Sequence, residues 1–532
     1  MRNHRGLKRF VMIGVVLTML IPVLAACTKQ APADENTVRT LRFASSNGYT
    51  GTNGEYFREY TELFEYEHKN IQLEFIETVD QSRYYYGTIS EEEQVDPLEA
   101  LKEAMTGPTP PDVIMVDYNH LPELINDNLL VSLDELIMKE KEFNVDNFVP
   151  AVIEGLRKPG NGTLYALAPM FYSSAVIYNK QLFLNKGVEF PTDNMTWEAM
   201  FDLARRVTVQ DDQNPVFGFS FNNYYGGVWD LFYNMSVYTQ PLGMSWIDVD
   251  TLQMTANTPL WQEVWTTFVD LYKEKVLPQE PDYSQPRNGP FDWDVFLSGK
   301  AAMAIVPYNY LYQVVEANNS ADRIENFEAI DWDVVTLPTH ESAPGIGSNV
   351  SYQGIFAINA NAENMEDAWE FIKFITGEDY ARVKSKSSYY LLARQEYIKP
   401  IDGVEYNLNA FMALSPPEYS STEQELYEKL PDYWSVQSIG QQKLYDVLTN
   451  GKDVQLALQE WETEGQMMIQ QLLEQRENGE GGEVGVFGLS TEDMLKLASG
   501  EPVSVTTDAS AEEAAEETSE EASEEASEEA AE

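Results

Sequence analysis

The sequence predicts an α/β protein divided into two large lobes or more. Three observations carry that prediction. Strand patterns and helix patterns alternate through the first part of the chain. The run Val113-Ile-Met-Val116 is continuously apolar, as a parallel strand buried on both faces must be. The chain has 532 residues, more than one hydrophobic core ordinarily organises. Aromatic residues make up 12% of it, with ten Trp and thirty Tyr, enough to fill sizeable cores and leave rings for ligands.

The chain opens with Arg2, Arg5, Lys8 and Arg9, then an apolar stretch from Phe10 to Ala26 that ends in Leu24-Ala-Ala-Cys27. This is the layout of a secretory signal peptide. The stretch is short for a spanning helix, which needs roughly 20 residues, and Gly14 and Pro22 interrupt it. A cysteine directly after Leu-Ala-Ala resembles the bacterial lipobox, which implies cleavage after residue 26 and lipidation of Cys27. The alternative is an ordinary signal or an N-terminal anchor with an incidental cysteine. Cys27 is the only cysteine, so no disulfide is expected. Residues 27–38, polar and containing Pro32, form a tether.

Thr40-Leu-Arg-Phe-Ala44 alternates as a strand, with a loop at Ser45-Ser-Asn-Gly48. Tyr56 to His68 reads as a helix with Tyr56, Phe57, Tyr60 and Phe64 on one face. Ile71, Leu73 and Phe75 alternate in a second strand. Leu98 to Met105 is helical and is broken by Gly107-Pro-Thr-Pro-Pro111. Thr196 caps a helix to Val207, with Glu198 in its first turn. A helix from Met365 to Thr376 stops at Gly377. The last long helix runs from Val454 to about Leu473. Trp197, Trp369 and Trp461 lie on the apolar stripes of these three helices and are expected in the core. Gly479-Glu-Gly-Gly482 marks a linker, Ser490 to Ser499 a short capped helix, and residues 508–532 an acidic tail with no aromatic or branched apolar residue to bury. That tail is expected to be disordered.

The formal charge is −52. Such a chain repels phosphate backbones, which argues against nucleic acid as a partner. It gains nothing from anionic lipid either, so the membrane link is expected to be the lipid on Cys27. No Gly-x-x-x-x-Gly-Lys-Ser/Thr loop, His-Glu-x-x-His pair or Gly-x-Ser-x-Gly elbow occurs. No catalytic residue, metal or cofactor is expected. A glycosidase needs only two suitably placed carboxylates, and 87 acidic residues leave that alternative open.

The order of several short motifs is informative. Pro111-Asp-Val-Ile-Met-Val116 is followed by Leu164-Tyr-Ala-Leu-Ala-Pro169, Ala175-Val-Ile-Tyr-Asn-Lys180 and Thr196-Trp-Glu198. Phe296-Leu-Ser-Gly-Lys-Ala-Ala-Met303, Asp331-Trp-Asp-Val-Val-Thr-Leu-Pro338, Gln353-Gly-Ile-Phe-Ala-Ile-Asn359 and Glu366-Asp-Ala-Trp-Glu-Phe-Ile-Lys-Phe374 complete the series. In this order, over residues 40 to 475, they resemble extracellular solute-binding protein family 1, the maltose-binding-protein-like receptors of ABC sugar importers. The resemblance implies a two-lobed, type II periplasmic-binding-protein fold with the ligand cleft between hinge-linked lobes. Lobe one takes residues 39–167 with about 355–400, lobe two 168–354 with about 401–477, and residues 478–507 are a linker and short helix. It further implies a carbohydrate ligand, with the many rings favouring an oligosaccharide, delivery by a monomer to membrane permease subunits, and an outward-facing location on the cell membrane. A ligand sensor with the same fold is a further alternative.

Ligands of open α/β sheets bind outside the carboxyl ends of the strands. Three loops hold those positions here, 45–49, 117–120 and 307–310. Sugars offer C–H faces to aromatic rings and hydroxyls to carboxylates and amides. Ser46, Asn47, Asp117, Tyr118, Tyr308 and Tyr310 are the candidates in these loops. The loop from Asn222 to Asp230 adds Tyr225, Trp229 and Asp230, and Tyr172 and Trp434 complete the set. Asp292 and Asp294 face the cleft or cap the following helix.

Overall fold

The computed structural model describes residues 37–80, 95–141, 143–211, 214–224, 226–280, 289–386, 389–417, 426, 429–430 and 432–477. The leader, Cys27, most of the tether, Tyr225, the 490–499 helix and the acidic tail lie outside the described residues.

The chain enters on β1 (Arg39–Ser45), which pairs in parallel with β2 (Ile71–Phe75) and β3 (Val113–Met115). Parallel neighbours need crossovers, and helices supply them. The helix Arg58–Glu67 buries Tyr60, Thr61 and Phe64. A 3-10 turn, Thr52–Phe57, precedes it, so the predicted start at Tyr56 falls in that turn. The helix Pro97–Thr106 is capped by Asp96, whose carboxylate accepts from the N–H groups of Leu98 and Glu99.

Three short strands then follow in close succession. β4 (Ala166–Leu167), β5 (Met170–Tyr172) and β6 (Ser174–Asn179) belong to three different sheets. Beyond β6 lies the helix Trp197–Val207, where Thr196 Oγ1 accepts from the Ala199 N–H at 3.2 Å, the cap read from the sequence. A hairpin, β7 (Ile247–Asp248) and β8 (Gln253–Met254), precedes β9 (Met303–Pro307) and β10 (Trp332–Val335). β9 and β10 flank β6, both antiparallel to it.

The chain then returns. β11 (Ser351–Gln353) pairs with β5, and β12 (Phe356–Ile358) inserts between β3 and β4, antiparallel to both. β13 (Leu391–Leu392) closes the other side of β5. The first sheet has the order β2-β1-β3-β12-β4, the second β10-β6-β9, and the small β11-β5-β13 sheet joins them.

Phe43, Phe57, Phe64 and Phe371 meet in the first core, where the Phe43 and Phe371 rings pack edge to face at 4.8 Å. Trp197, Phe201, Phe219, Phe268 and Trp461 fill the second. All three tryptophans expected in the core are buried. Trp461 donates its indole N–H to the Val436 carbonyl at 2.9 Å. Gly440 lets the helices Tyr433–Thr449 and Val454–Glu477 approach, because a Cβ there would come within 2.5 Å of the Trp461 ring.

Candidate functional site

A cavity of about 830 Å³ lies at the exit of β3, against β5 and β11 of the small connecting sheet. Its first wall starts where β3 ends. The Asp117 N–H donates to Ser46 Oγ at 2.8 Å, tying the β3 exit to the β1 exit. Ser46 is fully buried, so it shapes the loop and does not present its hydroxyl to the cavity. Asn47 Oδ1 accepts from the Ser45 hydroxyl at 2.8 Å and the Tyr49 N–H at 3.0 Å, a local turn lock. Asp117, Tyr118 and Tyr172 all line the cavity.

The floor is made of tyrosines. Tyr118 donates to the Gly155 carbonyl at 2.8 Å and meets the Tyr352 ring at 5.2 Å, near edge-on. Tyr352 sits on β11, the connecting strand, and its hydroxyl has no hydrogen-bond partner among the described residues. Gly155 is required beneath it, since a Cβ there would lie 1.7 Å from that hydroxyl. Tyr60 and Tyr390 also line the floor, with Glu59 beside them. Burial pushes the Tyr60 and Tyr352 phenols far above the ordinary range. Tyr56 shifts the same way, from burial and then the Asp117 charge, against a hydrogen bond to Asn47. The phenols of Tyr56, Tyr60 and Tyr352 therefore stay neutral near pH 7, and the Tyr352 hydroxyl is buried beneath its ring, so the floor presents mainly ring surface. The far wall contributes Gln240 and Asn349.

A second cavity of about 460 Å³ opens against the helix Val228–Thr239. Tyr233, Trp246, Trp261 and Tyr433 line it, and Gln240 and Asn349 line both cavities.

The other candidates lie elsewhere. The structure corrects the expectation for Tyr308 and Tyr310, which are interior residues. Tyr308 donates to the Lys399 carbonyl at 3.2 Å and packs against Phe411. Tyr310 is held by both Asp294 oxygens, at 2.9 and 2.8 Å. Asp294 also accepts from the Asn223 amide and from the N–H groups of Phe296 and Leu297, so it locks a turn; residues 291–299 form turns, not the helix foreseen after it. Trp229 and Asp230 do not stand in a loop, because the helix starts at Val228. Asp230 is half-buried outside both cavities, and burial, reinforced by Glu280, pushes its carboxyl up. Trp434 is 54% exposed in the first turn of its helix, while its neighbour Tyr433 lines the second cavity.

Sequence reasoning missed Glu59, Tyr352, Tyr390, Gln240 and Asn349, and it read Tyr56 and Tyr60 only as part of a helix face. The signal that pointed to Tyr60 was a helical stripe, and a stripe does not tell a core from a cleft floor. No group of three or more His, Cys, Asp or Glu side chains is arranged for a metal among the described residues, and no described helix is long and apolar enough to cross a membrane.

A family model described as bacterial extracellular solute-binding protein matches residues 48–382. No curated protein matches the chain. Among solved structures, a sugar transporter from Rhizobium etli in an open conformation matches with TM-score 0.50 at 18% identity, over 81% of this chain and 99% of that one. The sugar-binding protein MalE from Xanthomonas citri matches with TM-score 0.50 at 15% identity, over 81% and 98%. A family 1 extracellular solute-binding protein from Alicyclobacillus acidocaldarius matches with TM-score 0.50 at 14% identity, over 82% and 100%. At these identities the likeness is one of fold.

Proposed function

The chain belongs to the bacterial extracellular solute-binding proteins, with their two-lobed type II α/β fold, and from that premise we propose that it captures a carbohydrate between its lobes and passes it to an ABC permease. The observation that carries this reading is the cavity of about 830 Å³ with a neutral tyrosine floor and the Asp117 carboxylate on its wall. Its volume falls in the range of small-ligand sites. Rings cover sugar faces, and the carboxylate and amides accept and donate to hydroxyls. The solved relatives include a sugar transporter and a sugar-binding protein, which supports the same class.

The mechanism is capture without chemistry. Ligand touches both walls only when the lobes approach, so it favours the closed state by its differential affinity. The lobe limits set out from the sequence are the working division. The return of β12 to the first sheet and the separate β10-β6-β9 sheet support it. Export by the leader and lipidation of Cys27 would hold the protein near its permease and raise the local encounter rate. Mass spectrometry of the membrane fraction tests the anchor, since a Cys27→Ala chain should lose the acyl mass and be released. Sedimentation tests the monomer.

The function is tested by a thermal-shift and calorimetric screen against mono- and oligosaccharides. A ligand that binds only the folded chain raises its melting temperature. Binding of one sugar class without product supports the reading. Binding confined to peptides or other solutes overturns the sugar assignment, and product formation overturns capture without chemistry.

A further inference from the structure

The loop that leaves β3 pins the backbone of Asp117 and leaves its side chain uncommitted. The Asp117 N–H goes to Ser46 Oγ at 2.8 Å, and the Asp117 carbonyl accepts from the His120 N–H at 3.0 Å. Asp117 stands at the capping position of the 3-10 turn Tyr118–His120, yet its carboxylate does not cap that turn. His120 stands at the capping position of the next helix, Leu121–Asn126, and its ring does not cap that helix either. The His120 Nδ1 is buried and has no hydrogen-bond partner among the described residues. It faces Asp117 Oδ2 at 4.0 Å.

A buried nitrogen without a partner is costly, and few are left so. The present separation is too long for a hydrogen bond. Rotation of the Asp117 side chain closes it without moving the pinned backbone. The ring is the confined partner, with 12% of its side chain exposed against 48% for Asp117, so the carboxylate is the group that turns. With a proton on Nδ1 the ring donates to one carboxylate oxygen and leaves the other free to accept from a hydroxyl in the cavity. A carboxylate held before ligand arrives has less freedom to lose on binding. The other acid of the cavity, Glu59, also has a nitrogen beside it, Lys384 Nζ at 3.5 Å.

We propose that His120 is a positioning residue for the ligand. It donates from Nδ1 to Asp117 and holds that carboxylate in the orientation that accepts from ligand hydroxyls. This rests on the carbohydrate reading of the cavity and deepens it by naming the group that orients its acceptor. His120 acts through Asp117 and need not touch the ligand, since Asp117, Tyr118 and Asn119 line the cavity and His120 does not.

The test uses the full-length chain, and the probes are maltotriose, cellotriose, xylotriose and mannotriose. Affinity is read by calorimetry with whichever of the four binds the wild-type chain most tightly. His120→Leu removes the donor and should weaken that binding about fivefold. His120→Asn returns an amide N–H close to the Nδ1 position and should restore binding to within about twofold of wild type. In an Asp117→Ala background, His120→Leu should change affinity by less than about twofold, because a residue acting through Asp117 then has nothing to position. Melts of each variant report folding, and His120→Phe, which keeps a ring without its nitrogens, replaces His120→Leu if that chain does not fold. Unchanged binding in His120→Leu or His120→Phe overturns the proposal. So does an equal loss with and without Asp117, which would show His120 acting by another route. Failure of His120→Asn to rescue, in a chain that melts as wild type does, overturns the donor role. Each of these outcomes leaves the carbohydrate reading standing. Binding of none of the four probes overturns the carbohydrate reading itself, and the proposal falls with it.

Discussion

The exits of β3 and β9 carry the same kind of sequence and come to opposite ends. Each strand is apolar, and each is followed at once by tyrosine, Asp117-Tyr118 after β3 and Tyr308-Asn-Tyr310 after β9. Asp117 and Tyr118 line the larger cavity. Tyr308 and Tyr310 are buried, with their hydroxyls given to Lys399 and Asp294. The strand-end rule places loops at the right edge of a sheet. It does not say which rings stay open. At β9 that is decided by what lies over the exit, Phe411 from a distant segment and the buried carboxylate of Asp294. At β3 the Tyr352 ring packs near edge-on against Tyr118, and both share the cavity.

The sharpest way to break the β9 arrangement is to remove Asp294. Asp294→Ala leaves the Tyr310 hydroxyl and the Phe296 and Leu297 N–H groups without their acceptor. The expected loss is about 3 kcal/mol or more of unfolding free energy, measured by urea denaturation. Next is Gly155→Ala, which drives a methyl into the Tyr352 hydroxyl. It should cost about 1–3 kcal/mol and also weaken ligand binding, because Tyr352 and Tyr118 must shift together. A core-only role for these rings would leave affinity intact.

A matched pair separates the two exits directly. Asp117→Ala should weaken ligand binding about tenfold, or about 1.4 kcal/mol, with little change in the melting temperature of the free protein. Tyr308→Phe should do the reverse, losing about 1 kcal/mol of stability with affinity unchanged. Calorimetry and thermal melts on both variants decide it. If Tyr308→Phe alters affinity, the interior reading of Tyr308 is wrong.

The smallest effect is a pH dependence. Burial pushes the Asp294 carboxyl above its ordinary 3.8, against the hydrogen bonds it accepts. A raised folded value means the native state holds the proton more tightly than the unfolded chain. Relative to the protonated state, this group therefore destabilises the fold progressively as pH rises from 3.8 through its folded value. Asp294→Asn should remove that slope, so its stability deficit should shrink as pH rises. The check is a series of melts of both proteins from about pH 3 to about pH 7. A constant deficit would show that Asp294 ionises in the fold as freely as in the unfolded chain.

Elements with local signals were legible in the sequence. Thr196 announced its helix by the cap it forms, and Val113 to Val116 announced β3 by its unbroken apolar run. The family resemblance supplied the two-lobed order from motifs spread along the chain, and the family match covers residues 48–382. In the candidate site, Asp117, Tyr118 and Tyr172 reach the cavity because they stand beside strand ends, where the sequence rule applies. Tyr352, Gln240 and Asn349 were not legible. Each lines the cavity through pairing or turns set by residues far away in the chain, such as the match of Tyr352 with Phe171 across β11 and β5. The burial of Tyr308 by Phe411 and Lys399 is hidden for the same reason, since nothing within ten residues of Tyr308 foretells it.

The position of β12 sets an order of assembly. It is an interior strand of the first sheet, yet it is encoded after the whole of β6 to β11. Until residues 356–358 have been made, β3 and β4 present bare edges with no partner between them. The N-terminal third of the chain thus cannot mature first, as an independent leading domain would. A fragment ending at residue 167 should stay unfolded, and adding a peptide that spans β12 should be the minimum needed to begin its rescue.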